Sequence, residues 1–356
     1  MALNLDNRIE LFSSLGELLL SYCNNKSNAK NKNLYNILDY KIEKARQQNP
    51  WFTNKNIFAA LRNIGLSLGK KQIKKWLNKY SELKKQVNNP LTIGIVNAGN
   101  IPLVGFHDFL TILITGNIYY GKLSSKDKEL PKAIAEILIE MEPELKKYIF
   151  FEEENLKKFD AIIATGSDNT SRYFEYYFSK YPHIIRKNRS SAAILTEDET
   201  DEELKKLADD IFLYFGLGCR NVSKLFVPSG YSFDRFFENL NHYKEELKQH
   251  NKYSNNYDYN RTIFLMNQTP HLDNGFVLLK EDPALSSPIA TIFYETYSDL
   301  EQVNNYLEAQ KEQIQCVVSH SNIIKHALPF GEAQKPSLWD YDDNIDTVEF
   351  ILSLDK

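Results

Sequence analysis

The chain has 356 residues, long for one domain and about right for two, and its 42% apolar and 25% charged residues describe a globular protein with a sizeable core. Its 43 Lys and Arg against 47 Asp and Glu leave a net charge of −4, which excludes a generally basic nucleic-acid binder. No apolar run approaches the roughly 20 residues of a membrane span, and the start MALNLDNRIELF lacks a signal-peptide layout, so a cytoplasmic location is expected.

In chain order, the first 85 residues read as helices. Leu11, Leu15, Leu18, Leu19 and Tyr22 share one helical face, as do Ile73, Trp76, Leu77 and Tyr80. The Asn- and Lys-rich stretch Asn24–Asn33 reads as a loop. Charge is uneven: residues 1–90 carry 16 Lys and Arg against 6 Asp and Glu, and the remainder 27 against 41. The run Lys70-Lys71-Gln72-Ile73-Lys74-Lys75-Trp76 concentrates this surplus. It can attract phosphate or form a solvated helix face, and without any nucleic-acid motif the solvated face is expected.

Past Pro90 the texture changes. Leu91–Val96 reads as a buried parallel strand, followed by a helix near Phe106–Leu113, the turn Gly116-Asn117 and a strand at Ile118–Tyr120. Ile134, Ile137, Leu138 and Met141 mark an amphipathic helix. Asp160–Thr165 is the next strand, closed by Gly166-Ser167 and followed by another helix. After the basic segment Arg186-Lys187-Asn188-Arg189 comes a strand at Ser191–Leu195. The helix of Leu204, Leu207, Ala208, Ile211, Phe212 and Phe215 then runs into Gly216-Leu217-Gly218-Cys219-Arg220. A strand at Val222–Val227 stops at Pro228-Ser229-Gly230. Further strands are predicted at Arg261–Met266, Ile289–Tyr294 and Gln315–Ser319, with a helix near Ser298–Gln313. This alternation predicts an α/β protein of two lobes built on parallel sheets: residues 1–190, residues 191–330, and a segment 331–356 that returns to the first lobe.

Two places carry candidate chemistry. Cys219, flanked by glycine at a helix-to-strand junction, sits where the backbone can turn sharply and present a thiol to a cleft. Against this stands the ordinary fate of cysteine, which is buried and inert. Cys23, on a helix face, and Cys316, in a core strand, read as structural. Three widely spaced cysteines make neither a disulfide framework nor a zinc cage, and no metal is expected. The second place is Asn97-Ala98-Gly99-Asn100-Ile101-Pro102, directly after the first strand, where α/β sheets bind ligands. The Asn100 amide can donate to a developing oxyanion, or the segment can be a plain Asx turn. No GxGxxG is present, and Gly65-Leu66-Ser67-Leu68-Gly69-Lys70 has the wrong spacing for a phosphate-binding loop.

Taken in order, these pieces have a familiar sequence: a strand leading to Gly-Asn-x-Pro, then Gly-Asn, a short strand and a lysine, then Thr-Gly-Ser, then a helix feeding Gly-x-Gly-Cys. That order resembles the aldehyde dehydrogenase superfamily. More narrowly, Ile93–Gly121, Arg189–Leu195, Gly216–Tyr231 and Leu328–Leu352 resemble the LuxC-type acyl-CoA reductases. The resemblance covers most of residues 90–352. It implies an aldehyde-dehydrogenase-like fold, with a Rossmann-like cofactor lobe, a catalytic-thiol lobe and extra N-terminal helices. It also implies reduction of a medium- or long-chain fatty acyl-CoA to the aldehyde through a cysteine thioester. NADPH is the implied cofactor, with NAD as the second candidate.

By that resemblance Cys219 is the catalytic thiol and Asn100 the side-chain donor of the oxyanion hole, partnered by the Cys219 N–H. Asn97 and Gly99 fall at the cofactor, Lys122 meets its adenosine ribose, Gly166 and Ser167 turn beside its pyrophosphate, and Glu281 holds the nicotinamide ribose. The hydrolytic members carry a glutamate in a Glu-Leu-Gly-Gly segment that activates water. Here the stretch is Arg186-Lys187-Asn188-Arg189-Ser190, with a cation in its place, so a thioester should resist water; a positioned base is typically worth about 10²–10⁴-fold. Arg186, Lys187 and Arg189 are also candidates for phosphates of coenzyme A or a 2′-phosphate, beside the commoner reading as a surface cluster. Phe106, Phe109, Tyr119 and Phe215 are expected to line an acyl pocket. A partner enzyme or a homo-oligomer is also expected. The rival readings are a related enzyme acting on a small semialdehyde or acyl phosphate, a catalytically silent partner-binding subunit, and a Cys-His hydrolase using His320 or His326.

Overall fold

The computed structural model describes residues 3–25, 31–85, 87–166, 168–320 and 324–354. They divide into two units: residues 1–187 together with 337–356, and residues 188–336.

In the first unit four helices precede the sheet: α1 (Leu5–Cys23), α2 (Lys32–Gln48), α3 (Asn54–Ser67) and α4 (Lys70–Leu77). The side chains of Asn4 and Thr53 cap α1 and α3 by accepting the N–H of Asn7 and Asn56. The expected loop is shorter than Asn24–Asn33, because α2 already begins at Lys32; residues 26–30 lie outside the described residues. Helices α1 and α3 cross at two glycines. A Cβ on Gly16 would lie 2.7 Å from the Leu68 Cβ, and one on Gly65 would lie 2.8 Å from the Leu20 Cγ. On α4, Ile73, Trp76 and Leu77 are buried, Lys70 pairs with Glu10, and the Lys75 ammonium lies over the Trp339 ring at 4.0 Å. Two cations of the basic run, Lys70 and Lys75, thus meet the protein's own side chains.

The sheet of this unit comprises β1 (Thr92–Val96), β2 (Ile118–Lys122), β3 (Ile149–Glu152), β4 (Ala161–Thr165) and β5 (His183–Arg186) in the order β3-β2-β1-β4-β5, all parallel. Helices α5 (Phe106–Ile114), α6 (Glu129–Met141) and α7 (Asp168–Phe178) fall between them in sequence. The strand order reverses between β1 and β4, so the carboxyl ends of these two strands form the switch point at which such sheets bind ligands.

The second unit contains β6 (Ser190–Ile194), α8 (Asp201–Phe212), β7 (Val222–Pro228), α9 (Asp234–Leu240), α10 (Lys244–Gln249), α11 (Asn251–Met266), β8 (Leu272–Asp273), β9 (Leu278–Glu281), β10 (Thr291–Tyr297), α12 (Leu300–Ala309) and β11 (Ile314–Ser319). Its sheet runs β11-β6-β7-β10-β9-β8, parallel except for the antiparallel β8–β9 pair. A reciprocal capping box between Thr200 and Glu203 starts α8. The strand expected at Arg261–Met266 is instead the last turns of α11. Phe264 and Asn260 are its buried residues there, and the Asn260 amide donates to the Ile289 carbonyl at 2.9 Å, while Ile263, Leu265 and Met266 face outward. A single buried stripe at helical spacing overrides the β-branched composition. Residues 337–356 rejoin the first unit through α13 (Thr347–Ser353). No described helix is long and apolar enough to cross a membrane.

Candidate active site

Each candidate cofactor residue of the first unit that the structure describes lies at or just beyond a strand's carboxyl end. Lys122 closes β2 in register with Val96, the last residue of β1, and Ala164 of β4 pairs with the same Val96. Asn97 follows at once and its N–H donates to the Lys122 carbonyl at 3.0 Å. The Gly166 N–H donates to the Arg186 carbonyl at 3.2 Å, at the end of β4; Ser167 lies outside the described residues. The Lys122 ammonium donates to the neutral Asn155 amide oxygen at 3.3 Å. Among the described residues no carboxylate pairs with it, so its charge can be directed at a ribose hydroxyl or a phosphate. A strand-end rim with one such lysine and a helix beginning just beyond Gly166 fits a nicotinamide dinucleotide.

The loop from Asn97 to Leu103 is built from below. The Asn97 amide donates to the Tyr119 hydroxyl at 2.7 Å, and a Cβ on Gly105 would lie 2.0 Å from the Asn97 Oδ1. Asn97 thus folds its side chain inward against Tyr119 and Gly105. Gly99 lies against Ser124, where a Cβ would stand 2.5 Å from the hydroxyl oxygen. Leu103 holds a left-handed φ of 58°, costly for a branched residue, and its N–H donates to the Asp127 Oδ2 at 2.7 Å. Asn100, partly exposed, sits within this frame. A small pocket is lined by Phe106, Phe109, Tyr119, Ile134, Asn97 and Asp127, among others. Three of the four aromatics expected to line a pocket meet there. Phe215 belongs to the other unit and stacks on His250 with ring centroids 4.1 Å apart.

Cys219 lies in the second unit, partly exposed. Helix α8 ends at Phe212, earlier than the periodicity suggests, because Tyr214 and Phe215 adopt left-handed φ values of 57° and 58° and Gly216 follows at 74°. The thiol therefore does not follow directly on a helix end. It occupies the second position of a β-turn closed by the Asn221 N–H on the Gly218 carbonyl at 3.0 Å. Asn221, buried, builds this turn twice over. Its Oδ1 accepts the Gly218 N–H at 2.8 Å, and its Nδ2 faces the carbonyls of Asp210, Ile211 and Leu213 at 3.0, 3.2 and 2.8 Å. Those are carbonyls of the α8 terminus, whose negative dipole end would oppose a thiolate; the Asn221 amide binds them. On the other side, the Ser191 hydroxyl donates to the Cys219 carbonyl at 2.9 Å and accepts the Cys316 N–H at 3.2 Å. Cys316 is partly exposed and its sulfur is 3.1 Å from the same hydroxyl. None of the three cysteines forms a disulfide.

Glu281 ends β9 and is paired with Tyr294, whose other neighbour in register is Leu225 of β7. It is thus two strands from β7, level with a residue six places beyond Cys219. Just beyond it, Lys224, fully buried, donates to the Asp282 carbonyl and pairs with Glu295 at 2.6 Å; burial pushes its pKa down, against the pull of that carboxylate. Each cation of the basic segment has a partner within the protein. Arg186 is buried and bidentate on Asp108 at 2.5 and 2.9 Å, with Thr347 at 3.2 Å; although burial opposes its charge, the Asp108 carboxylate holds its pKa above the usual value. Lys187 pairs with Glu175 at 3.0 Å, and Arg189 donates to the carbonyls of Lys311 and Ile314. His320 Nδ1 meets Glu203 Oε1 at 2.7 Å, which turns this ring nitrogen to a carboxylate on α8. Among the described residues no group of three His, Cys, Asp or Glu is placed to hold a metal ion.

Sequence reasoning passed over Asn221, Ser191 and Asp127. Asn221 carried a local signal, an Asx residue two positions after the cysteine in Gly218-Cys219-Arg220-Asn221. Ser191 and Asp127 act on backbone groups 28 and 24 residues away, and nothing in their own neighbourhoods marks them.

Comparison with known proteins agrees with this architecture. Residues 2–325 match the family model described as acyl-CoA reductase (LuxC). A comparison with curated proteins finds no match. Among solved structures, an NADP-dependent enzyme of Escherichia coli is similar with a TM-score of 0.62 at 13% identity, covering 93% of this chain and 76% of that one. An NAD-dependent aldehyde dehydrogenase from Sinorhizobium meliloti gives 0.57 at 12%, covering 92% and 77%. Lactaldehyde dehydrogenase from Escherichia coli gives 0.56 at 13%, covering 90% and 76%. At these identities the structures establish a shared fold, the aldehyde-dehydrogenase-like α/β architecture with additional N-terminal helices.

Proposed function

The chain belongs to the LuxC acyl-CoA reductase family, and from that premise we propose that it reduces a medium- or long-chain fatty acyl-CoA to the aldehyde, with NADPH as reductant and a thioester on Cys219 as the acyl-enzyme. The observation that carries this assignment beyond the family is the Cys219 turn, held on one side by Asn221 and on the other by Ser191. A thiol on a turn braced from both sides is suited to nucleophilic attack, because little of its order has to be acquired during the reaction.

The Cys219 sulfur attacks the thioester carbonyl. By the family resemblance the Asn100 amide and the Cys219 N–H are the two donors assigned to the oxyanion; the bond to the coenzyme A sulfur breaks, and the acyl group stays on Cys219. When bound, the reduced nicotinamide supplies the hydride that the acyl carbon takes up. The same two donors again hold the oxygen while the carbon–sulfur bond to Cys219 breaks, which frees the aldehyde and restores the thiolate. Lys122 and the turn at Gly166 would hold the dinucleotide, with Glu281 the candidate for its nicotinamide ribose. Arg186 supports this reductive course. The stretch in which a hydrolytic enzyme carries its water-activating carboxylate is here Arg186-Lys187-Asn188-Arg189-Ser190, with a cation in that place and Arg186 itself committed to Asp108, so this segment offers water no base.

The deciding experiment is NADPH oxidation with acyl-CoAs from acetyl to tetradecanoyl, run beside Cys219→Ala. Turnover is expected to peak at one chain length and to vanish in the variant. Absence of turnover with every acyl-CoA, while NADPH still binds, would overturn the assignment in favour of a small semialdehyde or acyl phosphate; absence of nicotinamide binding would favour a silent, partner-binding subunit.

A further inference from the structure

Asp127 is a buried carboxyl, 4% exposed, that lines the small pocket together with Asn97 and Leu103. One of its oxygens accepts the Leu103 N–H at 2.7 Å, and the other, Oδ1, is buried without a hydrogen-bond partner. Its placement gives it a second connection. Asp127 belongs to the segment that begins at Lys122, the candidate ribose lysine, and its backbone nitrogen would lie 3.2 Å from a Cβ on Gly99. The oxyanion loop is therefore held at both ends by one segment. Near its start, Asn97 N–H bonds the Lys122 carbonyl and Gly99 lies against Ser124 and Asp127; at its far end, the strained Leu103 is held by the Asp127 carboxyl. Asn100 lies between these two attachments.

We propose that Asp127 is the positioning residue of the oxyanion loop: by fixing Leu103 in its left-handed conformation it sets where the Asn100 amide points, and it ties that direction to the segment that carries Lys122. The proposal rests on the acyl-CoA reductase assignment for the role of Asn100, and on the first unit alone for its geometry. Left-handed leucine is a strained state that persists only where the surroundings over-determine it, and the Asp127 bond is one such determinant. Removing it lets Leu103 relax and displaces Asn100, which costs the transition state while leaving the dinucleotide rim in place.

The test compares Asp127→Ala, Asp127→Leu and Asp127→Asn with the unaltered chain. Four quantities are read: kcat and KM for the best acyl-CoA, NADPH affinity by fluorescence, melting temperature, and hydrogen exchange of a peptide spanning residues 98–105. The Ala and Leu variants are expected to lose roughly 10²–10³-fold in kcat, the range seen when one oxyanion donor is removed. NADPH affinity and KM should stay within a few-fold, and exchange over 98–105 should speed up. The Asn variant, which keeps an acceptor for the Leu103 N–H, should restore most of the lost kcat and the slow exchange. Unchanged kcat and exchange in all variants overturns the proposal. Losses of kcat, NADPH binding and melting temperature in step overturn it too, since they report a structural role only. If no acyl-CoA is turned over even by the unaltered chain, the functional assignment fails instead; exchange over 98–105 then still decides whether Asp127 holds the loop.

Discussion

Asn221 shows how one buried amide can organise a reactive turn. All of its side-chain partners are backbone groups on the approach to Cys219, so Asn221→Ala would leave the Gly218 N–H and three carbonyls to find other partners. Each buried polar group left unsatisfied costs about 1–3 kcal/mol, and a loss of about 2–4 kcal/mol in urea unfolding is expected, together with slower alkylation of Cys219 by iodoacetamide. Asp127 makes a different prediction. Burial pushes its carboxyl up to about 7, and Asp210, buried behind the Gly331 and Ala333 N–H groups, is also raised to about 7. In the unfolded chain both release their protons near pH 4. Between about pH 4 and 7 the folded state therefore holds more protons than the unfolded, and stability falls as pH rises, by up to about 1.4 kcal/mol per pH unit for each group. Asp127→Asn should flatten that fall, as measured by urea unfolding at pH 5, 6 and 7. A variant with the same slope as the unaltered chain would show that Asp127 does not titrate this way.

At the scale of elements, legibility followed burial. Strands β1, β4 and β6 were readable because each is a compact run of small and apolar residues whose interior positions are buried, and β2 and β7 because most of their interior positions are. Strands β3 and β5 were not read: each has four residues and lies at an edge of its sheet, too short to show a period against a polar background. Arg261–Met266 misled for the opposite reason: apart from the buried Phe264, its apolar residues Ile263, Leu265 and Met266 are on the exposed face at the end of a helix. The candidate site divides similarly. The Gly-Cys turn, with Asn221, and the Asn-Ala-Gly-Asn loop announce themselves by local residue type, whereas Ser191 and Asp127, which also hold them in place, act through long-range contact. Arg186 is the sharpest case. As sequence it belongs to a basic cluster, yet in the fold it joins β5 to α5 through Asp108 and to α13 through Thr347. Asp108→Ala would strand a buried guanidinium, at an expected cost of about 3–5 kcal/mol; replacing both partners with apolar residues should cost much less. Thermal unfolding of the single and double variants distinguishes the two.

The whole molecule is a chain that leaves one unit at Lys187 and comes back to it at Ser337. The return is secured by side chains far apart in sequence. The Trp76 indole N–H donates to the Tyr341 hydroxyl at 2.7 Å, that hydroxyl also meets Tyr80, Lys79 pairs with Asp346 at 2.6 Å, and the His107 ring bonds the Leu338 carbonyl at 2.9 Å. Tyr341→Phe leaves the buried indole N–H without its acceptor, so a loss of about 1–3 kcal/mol is expected, with a shift in Trp76 emission on unfolding as the readout. No change in either would mean that the return is held by apolar burial alone.

This interrupted connectivity sets an order of events at the ribosome. Residues 188–336 form one uninterrupted stretch and can collapse as soon as they emerge. The helices and strands made before them cannot finish: the Tyr341 hydroxyl, the Asp346 carboxylate and the Thr347 side chain that complete their packing are synthesised only after the entire second unit. At about 5–20 residues per second the earlier-made half waits several seconds or more, with Trp76 and Arg186 lacking partners they later acquire. The piece translated first is thus among the last to become native, and during that interval its exposed surfaces are what a chaperone would meet.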